Sequence, residues 1–363
     1  MTSKFASSVG SLIILAAMSS PAVATVSFSP FVTATGGSPI GFAYAGDKFV
    51  GSNYFNNQLY QTDLTGGGVT NFGAALPISS GSIGEVYVSS SLGLGGFGSR
   101  DVFAGSESSG TIYKFNNDGT NQTVFAIGLI GGVRSIAFDP YGHYGNSMIV
   151  ATNAGRIYKV DSTGSATLLA STGEDTEGLS FAPQAFGSVP AYTLVVASEG
   201  SGSLRSIAPD GTITTITTIG SAEMVSFVPL NLGISGNPLE GFYAANYSSD
   251  VIKSAASNFT SYIGDMIVTG ETSHLVWDVS WDGSNFVTTQ IGTFPNQPED
   301  GIFVTAAILD PGCDLTNTCG GTVPEPTTLA LFGLGLLGLV GVRRRWQFPV
   351  VTVSPIIRAI DEL

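Results

Sequence analysis

Cys313 and Cys319 are the only cysteines in the chain, and both lie late in it. The body therefore has neither a disulfide framework nor a thiolate metal cage, and a chain of this length can fold on its own apolar core. The only histidines are His143 in PYGHYGN and His274 ahead of an apolar run, and neither has a nucleophile visible nearby. No G-x-S-x-G elbow, H-E-x-x-H pair or phosphate-binding loop occurs. A triad assembled in space is not excluded by spacing. Lys and Arg together number 13, too few and too scattered to neutralise a nucleic-acid backbone. Long helical periodicity is missing. What is abundant is glycine, at 48 residues, together with Ser, Thr and short β-branched runs.

Both ends carry targeting features. Lys4 opens a weakly charged segment, Val9 to Met18 is a short apolar run, and Ala22-Val23-Ala24 is an A-x-A cleavage site. Residues 1–24 thus read as a signal peptide, with Thr25 as the mature N-terminus. Near the other end, Val323-Pro324-Glu325-Pro326 precedes the uncharged, glycine-interrupted segment Thr327–Val342 and then Arg343-Arg344-Arg345. A stable span needs about 20 apolar residues, so a segment this short suits a temporary anchor. An ordinary C-terminal membrane helix is the alternative. The arginines would hold their end in the cytoplasm.

The order Pro-Glu-Pro, apolar segment, arginine cluster resembles the PEP-CTERM sorting signal of Gram-negative bacteria. The resemblance implies export through the Sec translocon, transient anchoring in the inner membrane and processing by an exosortase. It also implies a place at the cell surface or in the extracellular matrix, because that family is associated with exopolysaccharide-producing bacteria. Such signals stop close to the basic cluster, whereas here the atypical tail 346–363 follows.

Residues 25–326 keep 8 basic and 25 acidic residues, a net charge near −17. Such a body suits cations, polyhydroxyl ligands or basic partners, and acidity also serves solubility. In an exported protein the pair Cys313/Cys319 is expected to form a disulfide within the linker 309–322.

The body repeats. A strand-and-turn marker recurs as GTIYKFNNDG (110–119), GRIYKVDSTG (155–164), GSLRSIAPDG (202–211) and SDVIKSAASN (249–258), with an earlier relative NNQLYQTDLTG (56–66). Ahead of it come one strand series (EVYVSS, RSIAFD, EGLSFA, EMVSFV) and then a second (FVGSN, VFAGS, IVATN, VVASE, FYAAN). A weaker fourth follows the marker (TVFAI, ATLLA, TITTI). Four antiparallel strands in a unit of about 45 residues are a propeller blade. The sequence therefore predicts an all-β fold, a six-bladed β-propeller over 25–308. Five units are read directly, and the sixth is assembled from 266–290 plus EDGIFVTA (299–306) as a displaced first strand that closes the ring. The strand series resembles NHL-repeat and gluconolactonase-type six-bladed propellers.

In a blade the first strand starts on the face where the second strand ends. Glu85, Arg134, Glu177, Glu223 and Asp300 are expected to share one rim with Asn53, Ser106, Asn153, Glu199 and Asn246. Polar groups converging on a channel mouth are the default ligand site of such an architecture. The gluconolactonase resemblance implies a metal at the channel, Ca²⁺ by its oxygen ligands, and the positions matched to it are Asn153, Glu177, Glu199, Asn246 and Asp300. Solvated strand ends and a neutral-glycan site are the competing readings. Trp277 and Trp281 share a strand face, as blade packing or as a sugar platform. The chain is expected to be an exported surface or matrix protein with a non-enzymatic binding or structural propeller. A Ca²⁺-dependent lactonase-like hydrolase is the alternative.

Overall fold

The computed structural model describes residues 25–305. The signal peptide with Ala22 and Ala24, the pair Cys313/Cys319, the sorting segment 323–345 with its apolar stretch 327–342, and the tail 346–363 lie outside the described residues. Among the described residues no helix is long and apolar enough to cross a membrane.

The alternating β-branched and aromatic residues form six four-stranded antiparallel sheets. The first blade is Pro39–Tyr44, Phe49–Asn53, Leu59–Thr62 and Thr70–Phe72. The second comprises Val86–Leu92, Ser99–Ser106, Ser109–Phe115 and Thr123–Ala126. The third (Val133–Phe138, Met148–Thr152, Arg156–Val160, Ala166–Ser171) and the fourth (Leu179–Phe181, Leu194–Ser198, Ser203–Ile207, Ile213–Thr218) repeat the pattern. The first strand of each blade is innermost, and inner strands of successive blades lie side by side around a ring. The second strands Met148–Thr152 and Leu194–Ser198 are buried along their whole length, and Ser99–Ser106 is buried over its last five residues. Apolar side chains fill the wedges between blades: Val50, Leu59 and Phe72 of the first meet Val86, Val102 and Phe115 of the second. Each such side chain contributes about 1.5–3 kcal/mol on burial.

The outer hairpins close on an Asp turn. Asp118 Oδ1 accepts from Thr120 N at 2.9 Å and from its hydroxyl at 2.6 Å, and Asp161 binds Thr163 in the same way. The glycine between or after them (Gly119, φ 82°; Gly164, φ 86°) occupies the left-handed region that the turn requires.

The last two blades are interlocked, and this corrects the expected unit boundaries. EMVSFV was expected to share a blade with FYAAN. Instead Ala222–Phe227 pairs with Met266–Gly270, which continues into Leu275–Trp281 and Phe286–Thr293 as the fifth blade. Gly241–Asn246 and Asp250–Ala255 belong to the sixth blade, whose inner strand is Pro298–Val304. The expected displaced first strand is present as Pro298–Val304 and closes the ring, but it pairs with Gly241–Asn246 and not with 266–290. The outermost strand of that blade comes from the other end of the chain, Ser29–Val32 pairing with residues of Asp250–Ala255. The physical reason is the connection 228–240, which is long enough to carry the chain into the next blade. The 3₁₀ turn Ala256–Tyr262 brings it back, burying Phe259 against Phe242 and Phe303. Strands from both ends of the propeller thus complete this blade, and its outer edge is the short strand Ser29–Val32.

Candidate functional site

The N-terminal ends of the inner strands and the C-terminal ends of the second strands meet at one mouth of the ring. Arg134 stands at its centre, on the inner strand of the third blade, and is almost fully buried. Its Nη1 ion-pairs with Glu85 and, at 3.0 Å, with Glu107; Nε lies 3.3 Å from Asp175. Its Nη2 pairs with Glu177 and approaches Glu199 at 3.8 Å. Glu85 and Glu177 precede inner strands, whereas Glu107 and Glu199 follow second strands. The Tyr87 hydroxyl fastens the set from below, 2.7 Å from Glu177 Oε2 and 2.9 Å from Glu85 Oε2.

Glu223, Glu271 and Glu299 complete the cluster from the two interlocked blades. Gln297 Nε2 donates to Glu271 Oε1 at 2.7 Å and to Glu299 Oε1 at 2.9 Å, holding the two carboxyl groups together. One guanidinium thus faces eight carboxyl groups. Several cannot be ionised together in a buried setting, and they respond by holding protons. Burial raises Glu177 above its ordinary value against the pull of Arg134. Glu223 is raised well above it by burial and by the charges of Glu177 and Glu299. Glu299 behaves likewise through burial, Glu177 and Glu271. Glu271 is pushed up to about 7 by burial and then by a hydrogen bond shared with Glu199.

Two groups of carboxylates bring one oxygen each to within 4.8 Å of one another: Asp175, Glu177 and Glu199, and Glu199, Glu223 and Glu271. Arg134 touches every member of the first group. Either set supplies the hard oxygen ligands that suit Ca²⁺.

Of the residues matched from sequence, Glu177 and Glu199 stand together at this mouth. Asn153 lies on the same rim and is exposed; its Oδ1 accepts from Gly132 N and its Nδ2 donates to the carbonyl of Glu107. Asn246 is buried, donating to Asp250 Oδ1 at 2.7 Å and accepting from Asn296 N at 2.8 Å. Asp300 points away from the guanidinium and accepts from Phe42 N at 3.3 Å. Asn53 donates to the carbonyl of Thr35, and Ser106 accepts from Ser108 N, so both serve the rim loops. Glu271 and Glu299 were missed as rim ligands, although MIVTGE places Glu271 after its strand much as VVASEG places Glu199. Tyr54 also borders the mouth: burial and then the charge of Glu107 raise its hydroxyl, and its ring packs 5.7 Å from Tyr247.

Below the cluster the channel opens into a cavity of about 270 Å³ lined by all six inner strands, among them Phe42, Val88, Ile136, Leu179, Val225 and Ile302.

Comparison with known proteins gives three results. Residues 322–345 match the family described as the PEP-CTERM protein-sorting motif. The motif marks the chain as an exported protein sorted by an exosortase. No curated protein matches the chain. Similar solved structures include a nidogen/laminin complex (15% identity, TM-score 0.49, covering 72% of this chain and 83% of that one). Another is virginiamycin B lyase from Staphylococcus aureus (11%, 0.45, 73% and 87%). A third is the PQQ-bound aldose sugar dehydrogenase from Streptomyces coelicolor (13%, 0.49, 74% and 85%).

Proposed function

We propose that this chain is a cell-surface or extracellular-matrix protein whose propeller is a non-enzymatic binding module, with a divalent cation, Ca²⁺ by its ligand set, held at the acidic mouth. The observation that carries this reading is the group Glu199, Glu223 and Glu271, whose oxygens converge within 4.8 Å. Only Glu199 of the three lies within ion-pair distance of a described basic residue, Arg134. A cation there would compete with the protons that Glu223 and Glu271 hold, and it would relieve the repulsion among the three carboxyl groups.

Arg134 argues for binding over catalysis. A guanidinium stays protonated and cannot exchange a proton as general acid or base. Here it also fixes Glu85, Glu107, Asp175 and Glu177 in ion pairs. The second reading, a metal-dependent lactonase-like hydrolase, draws on one feature. Glu271, pushed up to about 7, has the proton affinity of a general base near neutrality.

Thermal unfolding of the intact protein with and without Ca²⁺, beside a lactone-hydrolysis assay, separates the two. The binding module predicts a Ca²⁺-dependent rise in Tm that Glu271→Gln diminishes, with no hydrolysis above background. Ca²⁺-dependent turnover abolished by Glu271→Gln would replace it with the hydrolase.

A further inference from the structure

The cavity beneath the mouth has an unbalanced end. Glu223, Glu299 and Asp300 all line it, and the first two are 4% and 2% exposed. Among the described residues no Lys, Arg or His stands within ion-pair distance of any of the three. Arg134, which balances the outer side of the cluster, does not line the cavity. Buried carboxyl groups without a cation or a full set of donors are costly.

The rest of the cavity has a different character. Its walls mix the aliphatic Ile136 and Leu179 and the aromatic Phe42 and Phe138 with small polar residues such as Ser135 and Ser180. It runs along the inner strands to Pro140, Pro183 and Pro229, each two residues beyond a strand-end phenylalanine (Phe138, Phe181, Phe227). These lie past the C-terminal ends of the strands, on the face opposite the acidic mouth. Thr305 lines the same far end; its hydroxyl is buried and has no hydrogen-bond partner among the described residues. The mouth side is closed by the ion pairs of Arg134 and by Tyr87.

We infer that this channel is a second binding site, taking a small organic ammonium ion with an apolar body, inserted from the face opposite the mouth so that its ammonium meets Glu223 and Glu299. An ammonium group offers three donors, enough for both carboxyl groups, and the apolar side chains below accept a hydrocarbon body of a few carbons. The inference does not require a metal at the mouth, although both sites use Glu223.

Calorimetric titration of n-butylamine into the intact protein, with 1-butanol as the uncharged control and Ca²⁺ titrated separately, tests it. Wild type is expected to bind one butylammonium and no butanol. Glu299→Gln should weaken the amine about tenfold or more. Ser135→Leu, which fills the bore below the carboxyl groups, should abolish amine binding and leave the Ca²⁺ response of the mouth intact, which also shows that the variant is folded. Amine binding that survives Ser135→Leu, or that Ca²⁺ displaces from that variant, would put the ammonium at the mouth and overturn the inference. Equal binding of butanol, or no saturable binding of the amine, would overturn it as well.

Discussion

Arg134, on the inner strand of the third blade, is ion-paired with Glu177 on the approach to the inner strand of the fourth. The pair joins neighbouring blades, and Tyr87 of the second blade bonds to the same carboxylate at 2.7 Å. Three blades therefore meet on one buried charge, and the mouth is as much a clasp as a site.

Removing the clasp should be expensive. Among the described residues Arg134 is the one cation paired with the cluster, so Arg134→Met leaves its partners buried and unbalanced, at a cost of about 3–5 kcal/mol. Urea unfolding measures the loss. The variant should recover stability on mild acidification, as the stranded carboxylates protonate, which a simple packing defect would not do.

Acid should stabilise the cation-free protein. Glu271, Asp278 and Asp300 are each pushed up to about 7 by burial, and Asp265 to about 6. Their unfolded values lie near 4. A raised folded value means the native state holds the proton more tightly, so this contribution is complete below about pH 4 and is lost as pH rises to about 7. Asp63, Asp118 and Asp161, lowered by hydrogen bonds from the turn threonines, work in the opposite sense but only at still lower pH. Calorimetric scans without Ca²⁺ should show a higher Tm near pH 5 than near pH 8, and Ca²⁺ should narrow the difference.

Two glycines set the spacing of the inner strands. A Cβ at Gly41 would meet Val88 N at 2.7 Å, and one at Gly178 would meet Val225 N at 2.7 Å, each on the backbone of the next blade's inner strand. Backbone cannot yield as a side chain can, so Gly41→Ala and Gly178→Ala should each cost about 1–3 kcal/mol. The first should leave cation binding at the mouth unchanged, whereas the second, beside Glu177, should weaken it.

The ring depends on its N-terminal strand. Val32 is fully buried, and Phe31 packs edge-on against Phe49 and Tyr243 at 5.3 and 4.8 Å. Deleting residues 25–33 would uncover the edge of Asp250–Ala255. The expected result is a lower Tm together with concentration-dependent aggregation, read by light scattering.

Much of this architecture was legible because blade residues repeat in register. The RSIAFD, IVATN and GRIYKV series located the strands of the middle blades to within a residue or two, and the same register put Glu177 and Glu199 on one rim. The failures have a common origin. Ala222–Phe227 and Gly241–Asn246 follow one another in the sequence at a spacing close to that of a single blade, and only pairing in space shows that Met266–Gly270 intervenes. That exchange hid Glu271, which ends the true second strand of the fifth blade. In the displaced strand Asp300 was matched in place of its neighbour Glu299; a one-residue step turns a side chain to the other face of a strand. The centrality of Arg134 was not legible either, because nothing local marks one strand-start residue as the point where five carboxylates converge.

The central claim is that the acidic mouth exchanges protons for a divalent cation. Calorimetric titration of Ca²⁺ into the intact protein, repeated in buffers of different ionisation enthalpy, counts the protons released. The account predicts one saturable site near neutral pH, net proton release on binding, and loss of both signals in Glu271→Gln. Saturable binding without proton release, or heats unchanged by that substitution, would contradict it.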